Sequence, residues 1–122
     1  MGRFFLVCLG GAFGTGARFL IGSWTVKTLG TGFPWGTLFI NVLGSFLIVI
    51  ILGSGLERAG ISADLRLVLA TGVMGGFTTY SSFNFESLRL FQHGSLGLGL
   101  TYMAATVFGC LLAGGLGQLL AR

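Results

Sequence analysis

Three groups of polar side chains stand in stretches that are otherwise apolar and free of charge. Asn41 follows Thr37 in the charge-free run Gly36–Leu56. Thr78-Thr79-Tyr80-Ser81-Ser82-Phe83 crowds hydroxyls and aromatic rings into the middle of the run Leu67–Phe85. Tyr102, Thr106 and Cys110 recur every four residues in the run Gly94–Ala121, a spacing that keeps them on one face of a helix. An amide N–H, a hydroxyl and the rim of an aromatic ring each present positive hydrogen to an anion, without a fixed charge that would trap it. Binding that is strong enough for entry and weak enough for exit is what a conducting path requires. A small, strongly hydrated anion fits this set.

The elements that must hold these groups follow from composition. The chain has 122 residues, 53% hydrophobic and only 8% charged, against about 25% charged in an ordinary soluble domain. A helix rising about 1.5 Å per residue needs roughly 20 apolar residues to cross the hydrocarbon of a bilayer. The three runs named above have 21, 19 and 28 residues, and a further apolar stretch, Phe4–Val26, contains only Arg18. The expectation is an all-α integral membrane protein, one transmembrane domain over 1–122, with four spans at about 3–27, 35–56, 65–92 and 95–120. Glu57–Asp64 supplies residues suited to ending one helix and capping the next. Gly75 and Gly76 interrupt span three, and a glycine-broken polar centre at membrane depth is tolerated only where it is buried in protein or lines a cavity.

Charge narrows the class further. The seven basic residues, Arg3, Arg18, Lys27, Arg58, Arg66, Arg89 and Arg122, are scattered singly. A nucleic-acid surface would cluster them, so no nucleic-acid partner is expected. Most flank the spans, where long basic side chains reach lipid headgroups. With four spans, Arg3, Arg58, Arg66 and Arg122 share one side and Lys27 and Arg89 the other, a weak bias for the positive-inside rule. Cys8 and Cys110 fall inside spans, and the one histidine, His93, in a loop, so neither a disulfide nor a zinc site is expected. The N-terminal stretch does not read as a cleavable signal peptide. Gly10 with Gly14 and Gly72 with Gly76 place small residues on one helical face, as close helix packing in lipid requires. Whether those seams meet within one chain or between chains is open at this stage. No nucleophile–base pair or cofactor loop argues for an enzyme.

Gly10-Gly11-Ala12-Phe13-Gly14 through Arg18, Gly36-Thr37-Leu38-Phe39-Ile40-Asn41-Val42-Leu43-Gly44-Ser45-Phe46 and Gly75-Gly76-Phe77-Thr78-Thr79-Tyr80-Ser81-Ser82-Phe83 together resemble the Fluc (CrcB) family of fluoride channels. The similarity runs through all four spans in order, and the third segment is the most specific. The resemblance implies a fluoride-selective channel that lets fluoride leave the cytoplasm passively and limits its toxicity. It also implies an antiparallel, dual-topology homodimer with two pores in the cell inner (plasma) membrane. Asn41 matches the pore asparagine that donates to fluoride, and Tyr80 and Phe83 the aromatic pair whose ring edges face the ion. Tyr102, Thr106 and Cys110 match the polar track of span four, and Thr37 a vestibule hydroxyl. Arg18 matches a motif arginine near the pore mouth, Glu86 an acidic residue after the aromatic pair, and Ser81 belongs to the same pore segment. The family also holds a structural, untransported sodium ion at the dimer centre, whose backbone-carbonyl ligands match Gly75 and Thr78. Tyr80, Ser82 and Cys110 depart from the family's usual phenylalanine, threonine and serine or threonine. The alternative is a small dual-topology multidrug/proton antiporter, which needs a carboxylate buried in a span. Span one has none, and Glu86 lies toward the end of span three.

Overall fold

A computed structural model describes all of residues 1–122. It is entirely helical: α1 (Gly2–Leu29), α2 (Trp35–Leu52), α3 (Ser54–Arg58), α4 (Ala63–Leu67), a π-helical stretch Val68–Met74, α5 (Gly75–Phe77), α6 (Tyr80–Gln92) and α7 (Leu96–Leu120). Three of these, α1, α2 and α7, are long and apolar enough to cross a membrane. Their outer faces carry large apolar side chains such as Phe13, Phe19, Leu111 and Leu112, all exposed. This inside-out pattern suits hydrocarbon as the surrounding solvent. Trp24 and Trp35, also exposed, sit near the end of α1 and the start of α2, where indole rings favour the membrane–water boundary.

The link between α2 and α4 shows how local chemistry ends helices. α2 stops at Leu52 because Gly53 turns extended (φ −67°, ψ 158°), four residues short of the expected boundary at 56. α3 then tucks against the chain's far end, where the Gly55 N–H donates to the Ala121 carbonyl at 3.0 Å. Ser62 caps α4 through a 3.2 Å bond from the Leu65 N–H. Gly30 and Gly94, following α1 and α6, take positive φ of 78° and 74°, which a β-carbon disfavours.

Packing depends on glycine where backbones meet. A Cβ on Gly72 would lie 2.7 Å from the Val7 carbonyl oxygen, and one on Gly10 would lie 3.0 Å from that of Val68. On Gly14 or Gly76 it would run into the carbonyl oxygens of Val73 and Gly11. The seam is therefore internal to the chain, joining α1 to the π-helical stretch and α5. With lipid outside, no hydrophobic force drives helices together, so such close approach supplies the attraction. α2 lies between α1 and α7 and packs most extensively on α7. A small core of Ile40, Ile51, Ala70, Met74 and Phe77 fills the space between α2 and the π-helical stretch.

Between α5 and α6 the helical run stops. Thr78 (φ −80°, ψ 157°) and Thr79 (φ −152°, ψ 116°) are extended. Helical bonding resumes at Tyr80, with the Thr79 hydroxyl capping α6 by accepting from the Ser82 N–H at 3.2 Å. This two-residue gap lies beside Asn41 of α2 and sets the geometry of the site.

A candidate anion path along α2, α6 and α7

Asn41 is buried, and its amide grips Thr79 with both ends. The Nδ2 group donates to the Thr79 carbonyl at 3.1 Å, and Oδ1 accepts from the Thr79 N–H at 2.9 Å. Two backbone groups that the interrupted helix leaves without partners are thereby satisfied, as a buried position demands. The amide has two N–H donors, so one remains. Gly44, one turn along α2, allows this approach, since a Cβ there would strike Cγ2 of Thr78.

Two cavities border this point. The inner one, about 340 Å³, is lined by Asn41, Ser45, Thr78, Thr79, Tyr80, Phe83, Thr106 and Cys110, among others. The outer one, about 750 Å³, is lined by Arg18, Thr25, Thr37, Thr79, Ser82, Glu86, Arg89 and His93, among others. Thr79 belongs to both walls. Beside it Glu86 accepts from the Thr37 hydroxyl at 2.9 Å and from the Tyr102 hydroxyl at 2.7 Å, tying α2, α6 and α7 together. Tyr102 is wholly buried.

Aromatic rings follow the same route. Tyr80 and Phe83 have centroids 5.6 Å apart, Phe83 and Tyr102 5.4 Å, and Tyr102 and Phe33 5.5 Å with planes at 86°. In tilted and edge-on arrangements such as these, the positive rim of one ring is turned toward the negative face of the next. Phe83 is buried, whereas Tyr80 is 79% exposed on the flank of the chain.

The hydroxyl of Thr106 is buried and has no hydrogen-bond partner in the chain. Leaving such a group unpaired costs about 1–3 kcal/mol, and a threonine in a membrane helix ordinarily bonds back to its own backbone. Ser45 and Ser87 do so, at 2.7 Å to the carbonyls of Asn41 and Phe83. Thr106 instead lies on the wall of the inner cavity.

The electrostatics change along the route. Arg18 and Arg89 line the outer cavity, and the chain's two ion pairs, Arg3–Asp64 and Arg66–Glu57, involve neither. The inner cavity has no ionisable side chain other than the Cys110 thiol and the Tyr80 hydroxyl. The outer cavity thus carries two arginines outside any ion pair together with the Glu86 carboxylate, and the inner one neutral polar groups.

Of the ten anticipated residues, Arg18, Thr37 and Glu86 line the outer cavity and Asn41, Tyr80, Phe83, Thr106 and Cys110 the inner one, while Tyr102 lines neither and meets Glu86 through its hydroxyl. Ser81 lines neither cavity; it is exposed, and its hydroxyl meets that of Thr79 at 3.2 Å. Ser82 takes the wall position one residue on. Sequence reasoning missed Thr79, Ser45, Arg89 and His93. Thr79 lay inside the hydroxyl cluster, but nothing in its type distinguished it from Thr78.

For a metal ion, no group of His, Cys, Asp or Glu side chains converges anywhere in the chain. The carbonyls of Gly75 and Thr78 are different. No cap, loop or side-chain hydrogen bond ends on either, and a backbone carbonyl without such a donor is a ligand type that suits a hard cation.

Comparison with known proteins places this geometry in context. The family described as CrcB-like protein, Camphor Resistance (CrcB), matches residues 5–118. A protein of Anaeromyxobacter sp. (strain K) named "Fluoride-specific ion channel FluC" is 52% identical over 122 residues, covering 100% of this chain and 97% of the relative. One of the same name from Sorangium cellulosum is 50% identical over 100% of this chain and 96% of the relative. A third, from Thermus thermophilus, is 52% identical over 91% of this chain and 87% of the relative. All three bear the name of a channel rather than of an enzyme or an antiporter.

Proposed function

Because the chain belongs to the CrcB-like family and is a multi-pass membrane protein, we propose that it is a fluoride-selective channel that drains fluoride from the cytoplasm across the inner membrane. The observation that carries this reading is the convergence of Asn41, Thr106, Cys110 and the rims of Tyr80 and Phe83 on one neutral cavity, with the Thr106 hydroxyl lacking any protein partner. Fluoride is compact and strongly hydrated, so a path for it must replace water molecules with hydrogen donors at close range. The free N–H of Asn41, the Thr106 hydroxyl and the Cys110 thiol supply donors, and the ring rims add weaker positive edges. Arg18 and Arg89 concentrate anions at the mouth. Thr37, Glu86 and Tyr102 join three helices and so fix the width of the passage, where a larger halide is excluded. Flux is passive: the ion accumulates inside cells in acid surroundings, where HF enters and dissociates, and leaves down its electrochemical gradient.

The segment 63–92 serves as the fourth span, broken at Thr78–Thr79. The working unit is an antiparallel homodimer with two pores. Tyr80 supports this reading, because it lines the inner cavity yet is largely uncovered in a single chain, a position that a second copy would close. The weak basic bias between the two sides is what a chain inserting in both orientations requires. Two carbonyls from each subunit, Gly75 and Thr78, would hold a sodium ion at the centre, where it would neutralise converging carbonyl dipoles and lock the two broken spans together.

Purified protein in liposomes tests the proposal. Vesicles loaded with fluoride should empty it when the membrane is made permeable to a counter-cation, whereas chloride-loaded vesicles should not empty. Protein prepared without sodium should lose the activity. Retention of fluoride by sodium-replete vesicles would refute the reading.

A further inference from the structure

The two hydrogen bonds of Asn41 do more than stabilise an interrupted helix. The Thr79 N–H that Oδ1 accepts belongs to the same peptide group as the Thr78 carbonyl. That peptide is trans, as all are in this chain, so its N–H and C=O point in opposite directions. Gripping the N–H at 2.9 Å from the α2 side therefore turns the Thr78 carbonyl away from Asn41. The second bond, from Nδ2 to the Thr79 carbonyl at 3.1 Å, holds the next peptide too, so neither plane can rotate alone. Gly44 completes the seat, because a Cβ there would displace the Thr78 side chain.

We infer that Asn41 is a positioning residue for the cation: by fixing the Thr78–Thr79 peptide it sets the direction of the Thr78 carbonyl, so one side chain serves both the anion path and the sodium ligand. This rests on the functional reading above, and adds to it a physical link between the two ion sites. Outer partners that orient a metal ligand typically change affinity by about 10- to 100-fold when removed, and Asn41 stands in that relation to Thr78. Bonds made to a peptide also polarise it, so acceptance of the N–H makes the carbonyl at its other end a stronger ligand.

The test is a sodium titration of thermal unfolding in fluoride-free detergent, which reads cation binding with no conduction involved. For Asn41→Leu, which has neither donor nor acceptor, the sodium concentration at half-effect should rise about 10- to 100-fold, beside a sodium-independent loss of stability from the two Thr79 backbone groups left unpaired. Asn41→Asp keeps an oxygen for the Thr79 N–H but loses the donor to the Thr79 carbonyl, so its midpoint should shift less than that of Asn41→Leu although its fluoride flux is lost. A merely structural asparagine would not separate those two readouts. An unchanged midpoint for Asn41→Leu, or a shift of equal size in both variants, overturns the inference. If Asn41→Leu fails to assemble, Gly44→Ala perturbs the same peptide from its neighbour and should raise the midpoint; no rise overturns the inference. A wild-type protein that passes fluoride but shows no sodium response overturns the cation reading itself, and the positioning role with it.

Discussion

Thr106→Val is the sharpest perturbation the structure offers, because it should cut conduction without a cost in stability. Valine keeps the volume of threonine and removes one hydroxyl, the hydroxyl that is buried and without a partner in the chain. In fluoride-free buffer that group has no protein–protein bond to lose. The variant should therefore unfold no earlier than wild type. With fluoride in the passage the same group donates to a charge, a bond contributing about 1.5–3 kcal/mol. Each 1.36 kcal/mol is tenfold in rate, so efflux should fall by roughly 10- to 150-fold. Thr106→Ser, which retains the hydroxyl, should conduct. The assay pairs a fluoride electrode on proteoliposomes at fixed protein content with a thermal melt of the same preparation. Efflux within about twofold of wild type, or a valine variant that melts earlier, would refute the assignment of this hydroxyl to the ion.

Other substitutions probe the remaining parts. Asn41→Asp should abolish flux, because a carboxylate sets acceptors and negative charge in the anion path; conduction at the wild-type rate, measured by the same electrode, would remove Asn41 from it. Phe83→Ile should slow efflux by removing a ring rim from the inner cavity while keeping it apolar, and unchanged throughput would count against the aromatic role. Gly14→Ala should destabilise the fold by about 1–3 kcal/mol, since overpacking forces backbone to shift and the new methyl would strike the Val73 carbonyl. A thermal melt matching wild type would show that the α1 seam is looser than its geometry.

How far the sequence reached can be read from particular residues. The charge-free runs mark where α2 and α7 lie, and α1 shows as an apolar stretch holding Arg18, because a bilayer imposes length and apolarity and leaves little else to choose. Leu56 was the exception: the Gly53-Ser54-Gly55 run ends α2 at Leu52, a local effect that an apolar count overlooks. The paired glycines were visible as packing faces, but their partners, the carbonyls of Val7, Val68, Val73 and Gly11, follow from how α1 crosses the π-helical stretch. No periodicity signals that stretch, whose extra residue per turn comes from tertiary contact. Asn41 was legible as a polar group in an apolar run, yet its hold on Thr79 was not, since backbone groups leave no trace in a residue pattern. Ser81 and Ser82 were indistinguishable by type, and only the start of α6 at Tyr80 decides that Ser82 faces the outer cavity.

The account turns on a neutral, donor-lined passage that prefers the smaller halide. The direct measurement is the reversal potential of a planar bilayer containing the protein, with fluoride on one side and chloride on the other. Currents should reverse near the limit set by fluoride alone, on both sides of the membrane in turn. A reversal near zero, or one that follows chloride, would contradict it.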